Sequence, residues 1–341
     1  MIELAKPGKY SLSISNPVMI ASGMMGFDPS TYRNLMKLEK LGAIVTAGLS
    51  WKARGPAKGA RVVPSPGGLL LHTGLPNPGV TRVIQKYGQA WANSPIPIIV
   101  HIIANRPEEA ARCAEVLEGV ANVVGIELGL HDQVHPDDIP VLIAAIQERS
   151  QLPLLIKLPL YGAPFLSQAA EDGGADGLVV AGPPRGTDRD LVSGQLIGGR
   201  MYGPWLKPQV LRAVGQIAEL VSIPVIACGG IHTADDARDY LAAGARAVQV
   251  DTLVWTQPSE VEIIARNIGG EEVTRAVGAL ADEWQPGLGK TQMIKRNTPA
   301  PVPEPPPLPP QQRPNIGLPE FPLGENDRTE PSDPFNDDSE F

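Results

Sequence analysis

The sequence predicts an α/β fold, a (β/α)8 TIM barrel, from three features. An apolar, β-rich run followed by a helix-like stretch recurs eight times along the chain. Several helix-like stretches close on Gly-Ala, where glycine supplies the left-handed turn that ends a helix before the next strand. The third feature is Ile223–Trp255, IPVIACGGIHTADDARDYLAAGARAVQVDTLVW, in which strand, glycine pair, helix and strand follow without a break. An open doubly wound sheet is the competing arrangement. The lack of G-x-G-x-x-G after the first strand weighs against it.

Taken in order, the predicted strands are Val18–Ala21, Ala43–Thr46, Ile96–Ile102, Val123–Leu128, Pro153–Leu158, Gly177–Ala181, Pro224–Cys228 and Ala247–Val250. Each is a short, almost continuous apolar run, as expected of a parallel strand covered on both faces. The predicted helices are Ser30–Leu41, Pro107–Gly119, Pro140–Ser150, Ala163–Gly173, Lys207–Val221 and Ala234–Ala243. Gly42-Ala43, Gly174-Ala175 and Gly244-Ala245 mark three of the predicted helix ends. The barrel is assigned to residues 1–287 and a proline-rich tail to 288–341. Of the 44 residues from Thr298 to Phe341, 13 are proline and acids gather near the end, a composition that cannot bury enough apolar surface to fold. This tail reads either as a solvating extension or, through PPPLPP at Pro305–Pro310, as a ligand for a partner protein with an aromatic groove.

Composition narrows the function. A chain of 341 residues with 43% hydrophobic and 19% charged residues can fill a large core. A net charge of −8 argues against general nucleic-acid binding and against an anionic membrane surface. Cys113 and Cys228 are the two cysteines and form neither a disulfide framework nor a C-x-x-C metal site. The opening MIELAKPGKYSL has no apolar leader and no apolar run approaches membrane-spanning length, so a cytoplasmic, soluble protein is expected. A homo-oligomer acting on a small molecule is expected too.

Gly229 and Gly230, directly after the seventh strand, let backbone N–H groups approach an anion, and the helix opened by Thr233 adds its dipole. Asp251-Thr252 ends the eighth strand. Loops after strands 7 and 8 are the usual phosphate cradle of such barrels, so this block predicts a phosphate site.

Beyond these readings, NPVMIASG (Asn16–Gly23), LGAIVTAG (Leu41–Gly48), PSPGGLLLHTGLPNPGV (Pro64–Val80), Lys157 in LLIKLPL and the CGGIHTADDA…VQVDT block resemble the class 1 dihydroorotate dehydrogenases, in family order over about residues 1–270. The resemblance implies FMN at the C-terminal face of the barrel. Its contacts would be Ala21, Ser22, Gly23, Lys157, Gly203, Cys228, Gly229, Gly230, Asp251 and Thr252. It also implies Asn77 as a substrate contact and oxidation of dihydroorotate to orotate as the reaction. The chain departs from the pattern at several places. Thr46-Ala47-Gly48 lacks the family's lysine, Gly182-Pro183 replaces Asn-Thr or Asn-Ser, and Gly129–Val134 (GLHDQV) stands where N-x-S-C-P-N is usual. Asp132 thus takes the place of the family's base, with His131 beside it as a second candidate catalytic residue.

Residue chemistry leaves some readings open. Lys157 on an apolar strand needs a partner for its charge: the flavin edge, favoured by the resemblance, or a carboxylate such as Glu127. The loop His131–Asp138 reads as a helix-capping polar loop, an acid/base unit or, through His131 and His135, a metal site without a clear third ligand. Tyr202 either stacks on the flavin or narrows the pocket, and Arg200 can serve an acidic substrate. The barrel is either a flavin oxidoreductase or a lapsed one kept for structure or interaction. Because the tail has no periodic apolar face, truncation after Gly287 should leave thermal stability unchanged, as a melting curve would record.

Overall fold

The computed structural model describes residues 1–6 and 11–269. The predicted boundary at Gly287 and the proline-rich tail, with Pro305–Pro310, lie outside the described residues.

All eight predicted strands form and pair in parallel. They are β1 (Val18–Ile20), β2 (Ile44–Val45), β3 (Ile98–Ile103), β4 (Val123–Gly129), β5 (Leu154–Pro159), β6 (Gly177–Gly182), β7 (Val225–Cys228) and β8 (Ala247–Val250). Each strand pairs with the next in sequence, and β8 returns to β1 through Val248↔Val18 and Val250↔Ile20, closing the barrel. All residues of β5, β7 and β8 are buried, which explains their continuous apolar spelling.

The helices are α1 (Val80–Ala92), α2 (Pro107–Leu117), α3 (Asp138–Gln147), α4 (Ala163–Asp172), α5 (Lys207–Leu220), α6 (Ala234–Ala242), α7 (Leu253–Thr256) and α8 (Pro258–Gly269). Among the described residues no helix is long and apolar enough to cross a membrane. Gly174 and Gly244 take positive φ, 96° and 108°, at the ends of α4 and α6 as predicted. Gly42 serves differently, because a side chain there would collide with the Asn16 carbonyl.

Three features depart from the sequence reading. The predicted helix Ser30–Leu41 is two short 3-10 turns, Pro29–Tyr32 and Leu38–Lys40. Asp28 caps the first through the Ser30 N–H at 2.9 Å, and the Lys37 N–H is drawn away to Glu262 of α8 at 3.0 Å, so the helical ladder cannot continue. Helix α1 was not predicted, although Val80, Val83 and Trp91 mark its buried face. Two hairpins also emerge, Val62–Ser65 with Gly68–Leu71 and Arg185–Arg189 with Leu196–Tyr202. They join through Met201↔Leu70 into a four-stranded antiparallel sheet.

Trp91 ties α1 to the rest of the fold. It is fully buried and its indole N–H donates to the Phe27 carbonyl at 2.7 Å. Trp91→Ala should cost roughly 3–5 kcal/mol in urea unfolding, by cavity formation and an orphaned carbonyl. Trp91→Phe should lose distinctly less.

Candidate functional site

At the centre of the barrel lies a closed polar network. Lys157 on β5 donates to Ser22 Oγ at 3.2 Å, Glu127 Oε1 at 3.4 Å and Gln249 Oε1 at 2.9 Å. An ammonium group has three N–H donors, and these three acceptors match them. Gln249 Nε2 donates to Glu127 Oε2 at 2.6 Å, and His101 Nδ1 lies 2.8 Å from Glu127 Oε1. Register places the groups together: His101 pairs with Glu127 across β3 and β4, and Gln249 pairs with Cys228 across β8 and β7. Burial alone would raise the Glu127 carboxyl, yet the Lys157 cation, His101 and Gln249 override it and bring it down to about 2. Burial alone would depress the Lys157 ammonium, and its neighbours Cys228 and Glu127 carry it upward instead. Cys228, beside Lys157, is a neutral thiol at pH 7 because burial pushes it up to about 11. Glu127, one of the two partners considered for Lys157, stands 3.4 Å from it. His101 and Gln249 were not anticipated, although each is a polar residue inside an apolar strand.

Position 129 shows how the family pattern was rebuilt. A side chain on Gly129 would come within 2.7 Å of the His101 ring, so the imidazole fills the space beside that strand. Glycine at 129 and histidine at 101 therefore depend on each other.

The glycine turn after β7 has the predicted form. Gly229 and Gly230 take φ of 126° and 69°, and a side chain on Gly230 would meet the Lys207 backbone nitrogen at 2.6 Å. Tyr240 of α6, fully buried, donates its hydroxyl to the Gly229 carbonyl at 2.8 Å and fixes the turn from behind. Thr233 and Asp236 form the capping box of α6, and Asp236 Oδ2 also accepts the His232 N–H at 3.0 Å. Lys207 neutralises Asp236 at 2.6 Å.

Asp251 points into the same cradle. Its Oδ1 accepts the Thr252 N–H at 2.6 Å and the Thr252 hydroxyl at 3.3 Å. It is 3% exposed, and this burial raises its carboxyl above the ordinary range against the pull of those donors.

Above the network, Ala21, Ser22, Lys157, Tyr202, Cys228 and Asp251 line a depression at the barrel mouth, with Gly182-Pro183-Pro184 on its far wall. Gly23 turns away from it at φ 88° and donates its N–H to the Thr46 carbonyl at 3.2 Å. Tyr202 lines the depression, and burial raises its phenol. Gly203 follows it where a side chain would meet the Gly67 carbonyl at 2.6 Å. Counted out to solvent the depression spans about 350 Å³, but the space open to water among these side chains is about 20 Å³. That is room for about one water.

FMN requires N–H donors for its phosphate, a cation at the ring edge and room for three fused rings. The Thr252 N–H and hydroxyl are bonded to Asp251, the Lys157 donors are matched, and the space is water-sized. Pockets that hold ligands of that size enclose roughly 300–1,000 Å³. As these side chains stand, the depression has no room for the three fused rings.

The remaining predicted residues stand apart from the depression. Asp132 Oδ1 accepts from Arg200 Nη1 at 2.7 Å and Oδ2 from Arg185 Nε at 3.1 Å, which pins the loop to the antiparallel sheet. His131 is exposed, and its Nδ1 accepts the Gln133 N–H at 3.1 Å rather than meeting Asp132. His135 pairs with Asp137 at 3.4 Å. Asn77 is buried, accepting from the Gly79 N–H at 3.0 Å and donating to Ser50 Oγ at 3.0 Å, so its amide organises the turn before α1.

Two outcomes test the network. Lys157→Met leaves the Glu127 charge buried without its cation and should cost about 3–5 kcal/mol, most of it recovered in Lys157→Met/Glu127→Gln. The depressed Glu127 carboxyl stabilises the fold above its ordinary value of 4.5, and that contribution is lost as pH falls towards about 2. Chemical denaturation at several pH values should therefore show a steeper acid limb in wild type than in Glu127→Gln. The raised Asp251 slopes the opposite way in both proteins and cancels in the difference.

Comparison with known proteins agrees with the architecture. The sequence profile of the family described as Dihydroorotate dehydrogenase matches residues 9–271. The chain is 33% identical over 293 residues to the catalytic subunit of dihydroorotate dehydrogenase B (NAD(+)) from Geotalea uraniireducens, covering 79% of this chain and 95% of that protein. It is 35% identical over 292 residues to the protein of that name from Pelobacter propionicus, with 79% and 96% covered. For the Trichlorobacter lovleyi protein the identity is 34% over 294 residues, again with 79% and 96% covered. With a matching profile over most of its length and relatives above 30% identity, the chain belongs to the dihydroorotate dehydrogenase family.

Proposed function

We propose that this chain is a lapsed dihydroorotate dehydrogenase-family barrel that acts as a structural or interaction subunit rather than as a flavin enzyme. One observation carries the reading: Lys157 and Asp251 at the barrel mouth are bonded to groups of the protein itself, and the space among the side chains has room for about one water. A site built to bind would present unpaired donors to its ligand. The relatives are named catalytic subunits; of that name, membership in an assembly is what carries over here. Pro305–Pro310 is the segment whose composition suits a protein partner.

The second reading is the family reaction, with FMN taking a hydride from dihydroorotate and Asp132 receiving the proton. It is favoured by the retained Gly229-Gly230 turn and by Lys157 at the barrel mouth. Against it, both Asp132 oxygens already accept from guanidinium groups.

The purified protein should be colourless, should not quench added FMN fluorescence at micromolar concentrations, and should release no FMN on denaturation. Anaerobic dihydroorotate should reduce no flavin in its presence beyond the rate without protein. Yellow protein that bleaches with dihydroorotate would sink the lapsed reading and restore the enzyme.

A further inference from the structure

We infer that Asp251 is a built-in phosphate surrogate: its carboxylate sits in the seat that the loops after β7 and β8 form for a phosphate and closes it to phosphorylated ligands. The inference rests on the lapsed reading above and names the side chain that closes one half of the site.

The geometry is that of an anion site with the anion tethered. A phosphate at such loops accepts from backbone N–H groups, reinforced by a helix N-terminus. The Asp251 carboxylate accepts from the Thr252 N–H at 2.6 Å and from the Thr252 hydroxyl at 3.3 Å, and it lines the depression together with Gly229 of the turn after β7, while α6 begins three residues beyond Ile231. The cradle is shaped to admit backbone closely, since a side chain on Gly230 would meet the Lys207 backbone nitrogen at 2.6 Å. A carboxylate on the preceding residue reaches these donors without a diffusing ligand and so without the entropy of capturing one.

The closure is electrostatic as well as steric. A phosphate dianion would have to enter beside a buried carboxylate, at separations where like charges repel strongly in a medium of low dielectric. Asp236 also carries negative charge at the mouth of α6, but Lys207 balances it at 2.6 Å. The bonds to Asp251 come instead from neutral groups. Next to it, His232 Nε2 is buried without a hydrogen-bond partner among the described residues, a donor or acceptor that the carboxylate does not reach. Removing the carboxylate would therefore free the Thr252 N–H and hydroxyl, with His232 adjacent, in a cradle that Tyr240 already holds in shape.

The test compares wild type, Asp251→Gly and Asp251→Asn by calorimetric titration with inorganic phosphate, and by fluorescence titration with FMN and with riboflavin. Asp251→Gly should bind phosphate roughly 10- to 100-fold more tightly than wild type, the factor expected from freeing donors held by a charged acceptor. Asp251→Asn, which keeps the side chain in the cradle, should stay close to wild type. Should the glycine variant fail to fold, Asp251→Ala removes the same carboxylate and carries the comparison. Phosphate binding by wild type equal to that of Asp251→Gly overturns the inference, as does a folded glycine or alanine variant that gains no affinity. In the last case, with no flavin bound by wild type, the lapsed reading stands. Wild type that binds riboflavin and FMN equally would sink the lapsed reading and leave the surrogate intact, because the phosphate would then contribute nothing.

Discussion

The ion pair between Glu127 and Lys157 is the constraint around which the barrel interior is arranged. Two charges in the middle of a parallel barrel are tolerable only when every remaining donor and acceptor is answered. Ser22, His101 and Gln249 supply those answers from β3, β8 and the end of β1, so five segments of the barrel converge on one pair. Such a network specifies register, because sliding any of these strands by one residue would turn its polar group to the outer face. It also explains why Gln249 is retained in a strand whose other residues are apolar.

The barrel was largely legible in the sequence because parallel strands buried on both faces spell themselves as apolar runs, and all eight did. Lys157 and Glu127 were legible for the converse reason, as charges inside such runs. What could not be read were interactions closed over long separations. Glu262 captures the Lys37 N–H from 225 residues away and converts a plausible helix into two short turns. The hairpin Arg185–Tyr202 mixes glycines and charges without a clean alternation, so no periodic signal announced it. Helix α1 carried a usable signal in Val80, Val83 and Trp91, and the preceding Pro78-Gly79 could have been taken as its start.

The site was legible in position but not in direction. The sequence places Asp251 beside the glycine turn, and either a ligand contact or a ligand replacement satisfies that placement. A rotation about the side-chain bonds separates the two, and only coordinates fix it. Tyr202 poses the same problem, since an aromatic ring at a pocket either stacks on a ligand or takes its room. Here Asp251 bonds to its neighbour Thr252, and Tyr202 lines the depression beside it.

The four-stranded antiparallel sheet has one more consequence. A closed barrel has no strand edges, whereas this sheet ends in two, Val62–Ser65 and Arg185–Arg189. Pro64 withholds an N–H on one edge, and Arg185, Asp188 and Arg189 crowd the other with charge. Both devices discourage another chain from adding a strand. Association that extends this sheet is thus disfavoured at both of its edges, and a partner that meets it there must do so through side chains rather than through backbone pairing.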